Sequence, residues 1–281
     1  MEKILVPTDF SDNSKPGLRF AIRLAARNKS HLVFINVHLV KRPPTTGSND
    51  AVNFEEFKQN ELDKTKIKLE SFVRKIYQSL KLESDGYSCE VIEGIKADFT
   101  LIDYCKNHSD IKYLVISTRG ASYFNKVLGT NTGNLITKSP IPVIAVPKDY
   151  RYRPLRNVLY ASDFENLTSE FQRVLDFAKP RGLSVELLHF SSPSTKDLEE
   201  SLNINDLEVK AGYPLIIRNE KYNNEHPLSR NLNEQIDKIQ PSLVVLFTNQ
   251  ERSLFEKIFL SSMAEGLSFK IQTPLLVYKK R

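Results

Sequence analysis

A short apolar run ending in a hydroxyl residue, an aspartate and a phenylalanine occurs twice in this chain. It reads Ile4-Leu-Val-Pro-Thr-Asp-Phe10 in the first instance and Val158-Leu-Tyr-Ala-Ser-Asp-Phe164 in the second. A duplicated unit constrains a fold more tightly than composition does, because it fixes how often one structural unit is built. The next apolar run repeats as well, His31-LVFINV-His38 against Ser184-VELLHF-Ser191, and so does the closing one, Pro142-VIAV against Pro274-LLVY. The spacing between copies falls from 154 residues at the first run (Ile4 to Val158) to 132 at the last (Pro142 to Pro274), so the second copy is the shorter. Two homologous domains are expected, 1–149 and 152–281, joined by the charged stretch Lys148-DYRYRP-Leu155.

Within each copy short apolar runs alternate with helical periodicity. In the first, Lys3–Val6 is expected as a buried strand, followed by a polar turn over Thr8–Ser14. Leu18, Ala21, Ile22 and Ala25 then recur at helical spacing, with Pro16 suited to a first turn. Leu32–Val37 is a second strand, and the turn-rich loop from Val40 to Ala51 is expected to be mobile. A long helix from Phe54 to Leu82 carries one apolar face. Strands at Ser88–Ile92 and Tyr113–Ile116, helices at Phe99–Asn107 and Asn131–Lys138, and the last strand complete the copy. Near-continuous apolar strands separated by helices give an α/β fold: two tandem open parallel five-stranded sheets flanked by helices, Rossmann-like. Ligands of such sheets bind beyond the carboxyl ends of the strands, at the point where the strand order reverses. In the first copy that directs attention to Pro7-Thr8-Asp9, Val37-His38 and Ser117-Thr118-Arg119-Gly120.

Composition narrows the function classes. No apolar run reaches the ~18–20 residues of a membrane span, and the first residues lack a secretory signal pattern. Cys89 and Cys105 make no disulfide framework, and the five histidines form no metal-ligating set. Both cysteines sit in apolar periodicity and read as buried thiols. The 40 basic residues exceed the 34 acidic ones by only six and alternate with them, so no nucleic-acid face is expected. The longest basic cluster, Lys279-Lys280-Arg281, reads as a frayed end. A cytoplasmic protein without a membrane segment follows. The phosphate loop GxxxxGK(S/T), the GxSxG elbow and the GxGxxG fingerprint are all absent, so no enzyme chemistry is expected.

The strand ILVPTDFS, the later VISTRGAS, the turn LGTNTGNLI and the ending SPIPVIAVP together resemble the universal stress protein family in its tandem arrangement. That resemblance implies an adenine nucleotide, ATP with Mg²⁺ or a shorter relative, bound in the first copy. Nucleotide-binding members carry Gly-x2-Gly-x9-Gly-(Ser/Thr) after the fourth strand, a loop whose backbone N–H groups cradle phosphate. Here Gly120 takes the second glycine's place and Gly129-Thr130 the closing pair, leading into Asn131. Asp9, flanked by Pro7 and Thr8, matches the acidic residue that meets the nucleoside, and Val37 the position whose backbone meets adenine. Arg119 offers countercharge. Two departures stand out: Ser117 replaces the first glycine, and the loop Ala121–Leu128 has eight residues rather than nine.

The second copy has no glycine between Gly212 and Gly266, and Glu251 and Glu256 stand where phosphate would lie. It reads as a structural partner in which Asp163 only starts a helix. The resemblance further implies that Val143–Val146 and Leu275–Tyr278 pack the copies as a pseudo-dimer and pair again in a homodimer. The function implied is nucleotide-linked stress response with little catalysis. The alternative is a scaffold that acts through protein partners without nucleotide.

Overall fold

A computed structural model gives the fold and describes residues 1–41, 50–83, 85–118, 131–191, 212–248 and 272–280. The first copy supplies β1 (Lys3–Pro7), α1 (Lys15–Asn28), β2 (His31–His38), α2 (Asp50–Leu80), β3 (Tyr87–Glu93), α3 (Ala97–Asn107), β4 (Ile111–Thr118), α4 (Asn131–Lys138) and β5 (Val143–Pro147). The second supplies β6 (Asn157–Ala161), α5 (Leu167–Ala178), β7 (Ser184–Ser191), β8 (Leu215–Lys221), α6 (Leu228–Ile239), β9 (Leu243–Thr248) and β10 (Leu275–Lys279). The elements expected from periodicity are all present, with ends shifted by a few residues. Most of the loop expected to be mobile lies outside the described residues.

Side chains alternate across each strand and sort the core into two layers. Ile4, Val6 and Phe34 join the layer that also holds Leu18, Ile22, Leu69 and Val73, where α1 and α2 pack. Leu5, Val33 and Ile35 face the other way, against Leu101 and Ile102 of α3 and Leu135 of α4. Helix α1 stops at Lys29, which adopts a left-handed conformation with φ 54°. The matching position of the second copy is Gly182, with φ 59°, where the missing Cβ removes the strain that the lysine carries.

The two expected sheets are one. The strand order is β3-β2-β1-β4-β5-β10-β9-β6-β7-β8, and every neighbouring pair is parallel except β5 with β10. That antiparallel seam pairs Ile144 with Leu276, Ala145 with Leu275 and Val143 with Val277. Ile144 and Leu276 are each other's counterparts in the repeat, so a pseudo-twofold axis runs through their pair. The packing of the copies through these strands is therefore as expected. The homodimer drawn through the same strands is not: β5 lies between β4 and β10, and β10 between β5 and β9, so both edges of each are already hydrogen-bonded within the chain.

Both layers of the core continue across the seam. Tyr113 and Phe177 meet edge to face with centroids 5.4 Å apart. The buried Arg181 guanidinium lies over both rings, donates to the Phe177 carbonyl at 2.9 Å and pairs with Glu2. Leu276 is fully buried at the axis. Leu276→Ala should cost about 2–5 kcal/mol, seen as a lower urea midpoint with the whole sheet still unfolding in one transition. Two separated transitions would show that the seam does not couple the copies.

Candidate functional site

Crossovers from β1 lead outward to β2 and β3 on one side, while β4 and β5 lie on the other, so the strand order reverses between β1 and β4. The same reversal recurs between β6 and β9. Two openings beyond the strand ends result, and the repeat makes each a control for the other.

At the first opening the chain leaves β1 through a tight, hydrogen-bonded turn. The Phe10 N–H donates to Thr8 Oγ1 at 3.1 Å, and Phe10 takes φ 64°. Ser14 gives its hydroxyl proton to the Ser11 carbonyl at 2.8 Å, so Thr8 is the donor in the 2.8 Å bond between the two side chains. Asp9 Oδ1 accepts the Ser11 N–H at 3.0 Å and the Ser11 hydroxyl at 2.6 Å, while Asp9 itself stays exposed. Asn36 of β2 anchors the turn by donating to the Thr8 carbonyl at 2.7 Å.

The second opening copies this turn with other side chains. The Phe164 N–H donates to Ser162 Oγ at 3.1 Å, and Phe164 takes φ 68°. Asp163 Oδ1 accepts the Glu165 N–H at 3.2 Å, and His189 replaces Asn36, with Nδ1 3.0 Å from the Ser162 carbonyl. Two phenylalanines in left-handed geometry at matching positions show that the turn shape is held by the hydroxyl and the anchor.

Ser117, at the end of β4, has its hydroxyl engaged in the fold. It accepts the Gly17 N–H at 2.7 Å and donates to the Ser14 carbonyl at 3.0 Å. One of the orphan N–H groups at the start of α1 is thereby satisfied. A Cβ on Gly17 would lie 2.8 Å from Ser117 Oγ, 2.9 Å from its backbone nitrogen and 3.1 Å from the Ile116 carbonyl carbon, so the glycine lets α1 approach the end of β4 closely enough for the Ser117 hydroxyl to bond it. Thr118 is buried beside it. Val37 sits half-buried near the end of β2, against Gly94 and Thr100. The pairing of β1 with β2 stops at Pro7 and Ile35, where the Thr8 N–H bonds the Ile35 carbonyl at 2.9 Å. With a strand period of two, the N–H and C=O of Val37 turn the same way, past the end of β1. Pro7, Thr8, Asp9, Val37 and Ser117 thus meet around one opening. Arg119, Gly120, Gly129 and Thr130 lie outside the described residues, and Asn131 begins α4.

The second opening is filled by its own chain. Lys280, expected at a frayed end, has a side chain only 4% exposed. Its ammonium lies 2.7 Å from Asp163 Oδ2, 3.1 Å from Glu165 Oε2 and 3.7 Å from Glu170 Oε1. Burial works against that charge, but the hydrogen bond and field of Asp163 and the field of Glu170 outweigh it and raise the Lys280 pKa. Glu170 is buried, which pushes its carboxyl above the usual carboxylate range, and it receives the Tyr160 hydroxyl at 2.6 Å. The Lys280 N–H bonds the Thr248 carbonyl at 2.7 Å, holding the residue across the ends of β9 and β10. The matching positions at the first opening are Lys148, Asp9, Ser11 and Pro16, and the two acids corresponding to Glu165 and Glu170 are missing there. Sequence reasoning missed Lys280, Glu170 and Gly17. The signal for Gly17 was a glycine inside an otherwise regular helical pattern, which marks a close approach.

Among the described residues no group of His, Cys, Asp and Glu is arranged to hold a metal, and no helix is long and apolar enough to cross a membrane. Both cysteines are buried, and burial pushes each thiol up to about 12.

The model of the Universal stress protein family matches residues 1–147. A universal stress protein from Archaeoglobus fulgidus is similar in structure, with 18% identity, 99% of this chain and 96% of that chain covered, and a TM-score of 0.59. A putative universal stress protein from Pseudomonas aeruginosa is similar at 16% identity over 99% of this chain and 93% of its own, also at 0.59. A universal stress protein solved in complex with cAMP matches 52% of this chain and 96% of its own at 17% identity and a TM-score of 0.37. Among curated proteins, none matches this chain in sequence. The chain belongs to the universal stress protein family.

Three substitutions test the geometry. Lys280→Met leaves three carboxylates without their ammonium and should cost about 3 kcal/mol; Asp163→Asn in that background should recover part of it, whereas strict additivity in thermal melts would disprove the pairing. Gly17→Ala should cost about 1–3 kcal/mol through overlap with Ser117, and an unchanged melting temperature would contradict the contact.

Proposed function

We propose that this member of the universal stress protein family binds an adenine nucleotide at the first opening and serves a nucleotide-linked stress response in the cytoplasm, without strong catalysis. The observation that carries the reading is the geometry of the first opening: Asp9 lies exposed on the hydrogen-bonded turn after β1, beside the end of β2, where the Val37 main chain turns past the end of β1. In this reading Asp9 meets the ribose hydroxyls, and the main chain of Val37, directed past the end of β1, meets the adenine edge. Pro7 and Thr8 hold Asp9 in place. Phosphates fall to the segment after β4, with Arg119, Gly120, Gly129, Thr130 and the start of α4 at Asn131, and Mg²⁺ accompanies ATP. Ser117 supports that segment through α1. The groups fit a nucleoside: a carboxylate to accept from hydroxyls, and main-chain N–H and C=O groups to meet the base. In the same proposal, residues 1–149 form the binding domain and 152–281 a domain that completes the sheet.

One observation favours the second reading, a scaffold acting through protein partners. The Ser117 hydroxyl already holds two protein groups, so the place of the family's first glycine offers a ligand less backbone room.

Acid extraction of freshly purified protein, followed by ATP, ADP and AMP titration, separates the two. About one equivalent of nucleotide is expected, lost in Asp9→Ala and in Gly129→Glu. No binding of any of the three at millimolar concentration would overturn the nucleotide reading and leave the scaffold.

A further inference from the structure

A groove of about 650 Å³ runs along the solvent side of α1, closed by the end of α2 and by the segment that joins β5 to β6. Four cations line it: Arg19 and Arg23 from α1, Lys148 and Arg151 from the joining segment. Asp149 is the acid among its lining residues, and among the described residues none of the four cations makes an ion pair. Arg19 and Arg23 stand one helical turn apart, a like-charge spacing that destabilises a helix unless an anion joins it. Aromatic rings shape the groove. Tyr152 lies under the Arg23 guanidinium at 3.7 Å, and Tyr150 packs edge-on against the buried Phe20 at 5.8 Å.

The second copy shows what these positions do when the fold uses them. Arg173, the counterpart of Arg19, donates to the Lys279 carbonyl at 2.7 Å and lies over the Tyr278 ring at 4.5 Å. Lys280, the counterpart of Lys148, is neutralised by Asp163, Glu165 and Glu170. Arg23 corresponds to Phe177, a buried apolar residue. Two positions whose cations the second copy engages in its own fold, those of Arg173 and Lys280, are therefore turned in the first copy toward an open groove, and Arg23 adds a third charge where the second copy has a phenylalanine.

We propose that this groove binds a small molecule carrying two or more phosphate groups, with Arg19, Arg23, Lys148 and Arg151 as its countercharges. Guanidinium forks match phosphate oxygens two at a time, which favours phosphate over a single carboxylate. The volume is that of a small-molecule site rather than of a protein interface. None of Pro7, Thr8, Asp9, Val37 and Ser117 lines the groove, so the site is separate from the proposed nucleotide opening.

The test is calorimetric titration of the full chain with pyrophosphate and tripolyphosphate at low salt. Arg19→Glu with Arg151→Glu should weaken binding at least tenfold. Arg74→Glu with Lys75→Glu, which changes two exposed cations of α2 by the same net charge, should leave it within about twofold. Gly129→Glu, aimed at the nucleotide opening, should leave polyphosphate binding intact while removing nucleotide binding. Equal weakening by both charge-reversed pairs would reduce the effect to the field of the whole molecule and overturn the proposal. Loss of polyphosphate binding in Gly129→Glu alone, or no binding at millimolar concentration, would overturn it as well.

Discussion

The antiparallel pairing of β5 with β10 about Ile144 and Leu276 sets the limits within which the rest of the molecule is arranged. Parallel strands carry apolar residues on both faces and need cover on both, and their hydrogen-bonding edges invite other chains. Joining two five-stranded sheets edge to edge removes a pair of apolar edges at once. It also lets both core layers run unbroken across the seam, in one of which Tyr113, Phe177 and Arg181 interlock. What remains open are β3 and β8 at the two ends of the sheet. Those strands carry Glu90 and Glu93 in one case and Arg218, Glu220 and Lys221 in the other, charges that discourage further pairing.

Duplication has kept backbone geometry and changed charge. Both turns after the first strand of a copy place a hydroxyl, an aspartate and a left-handed phenylalanine in the same hydrogen-bond pattern, with Asn36 in one and His189 in the other anchoring the carbonyl. What surrounds the aspartate decides whether it is accessible. In the second copy Glu165 and Glu170 add negative charge, which draws in Lys280 and closes the opening. In the first copy serine and proline occupy those positions, and the corresponding lysine lies along a groove on the flank of α1. A few charge-changing substitutions distinguish the second opening, where Lys280 is buried among three acids, from the first, where serine and proline stand in place of two of them.

Much of this was legible in the residues, and the exceptions share a cause. Strands and helices followed from local periodicity, the repeat gave the number of copies, and the family resemblance gave the strands along which they join. The fusion into one sheet depended on which edges stay free, a property of the assembled chain. Ser117 read as a departure from a glycine motif, because nothing local shows that Gly17, a hundred positions earlier, has made room for its hydroxyl. Lys280 read as part of a loose basic cluster for the same reason: its acids lie in the turn after β6 and on α5, more than a hundred residues away. Long-range polar contacts leave no periodic trace, whereas apolar burial does.

The strand at the middle of the sheet follows all nine others along the chain. Until β10 is in place, β5 and β9 each present an unpaired apolar edge, and the symmetry of the seam makes the edge of β5 a fair match for β5 of a second molecule. The order of synthesis therefore leaves the widest gap in the sheet for last. During that interval the chain is most exposed to exchanging strands with its neighbours, so crowding and the speed of translation bear on its yield more than on its final stability.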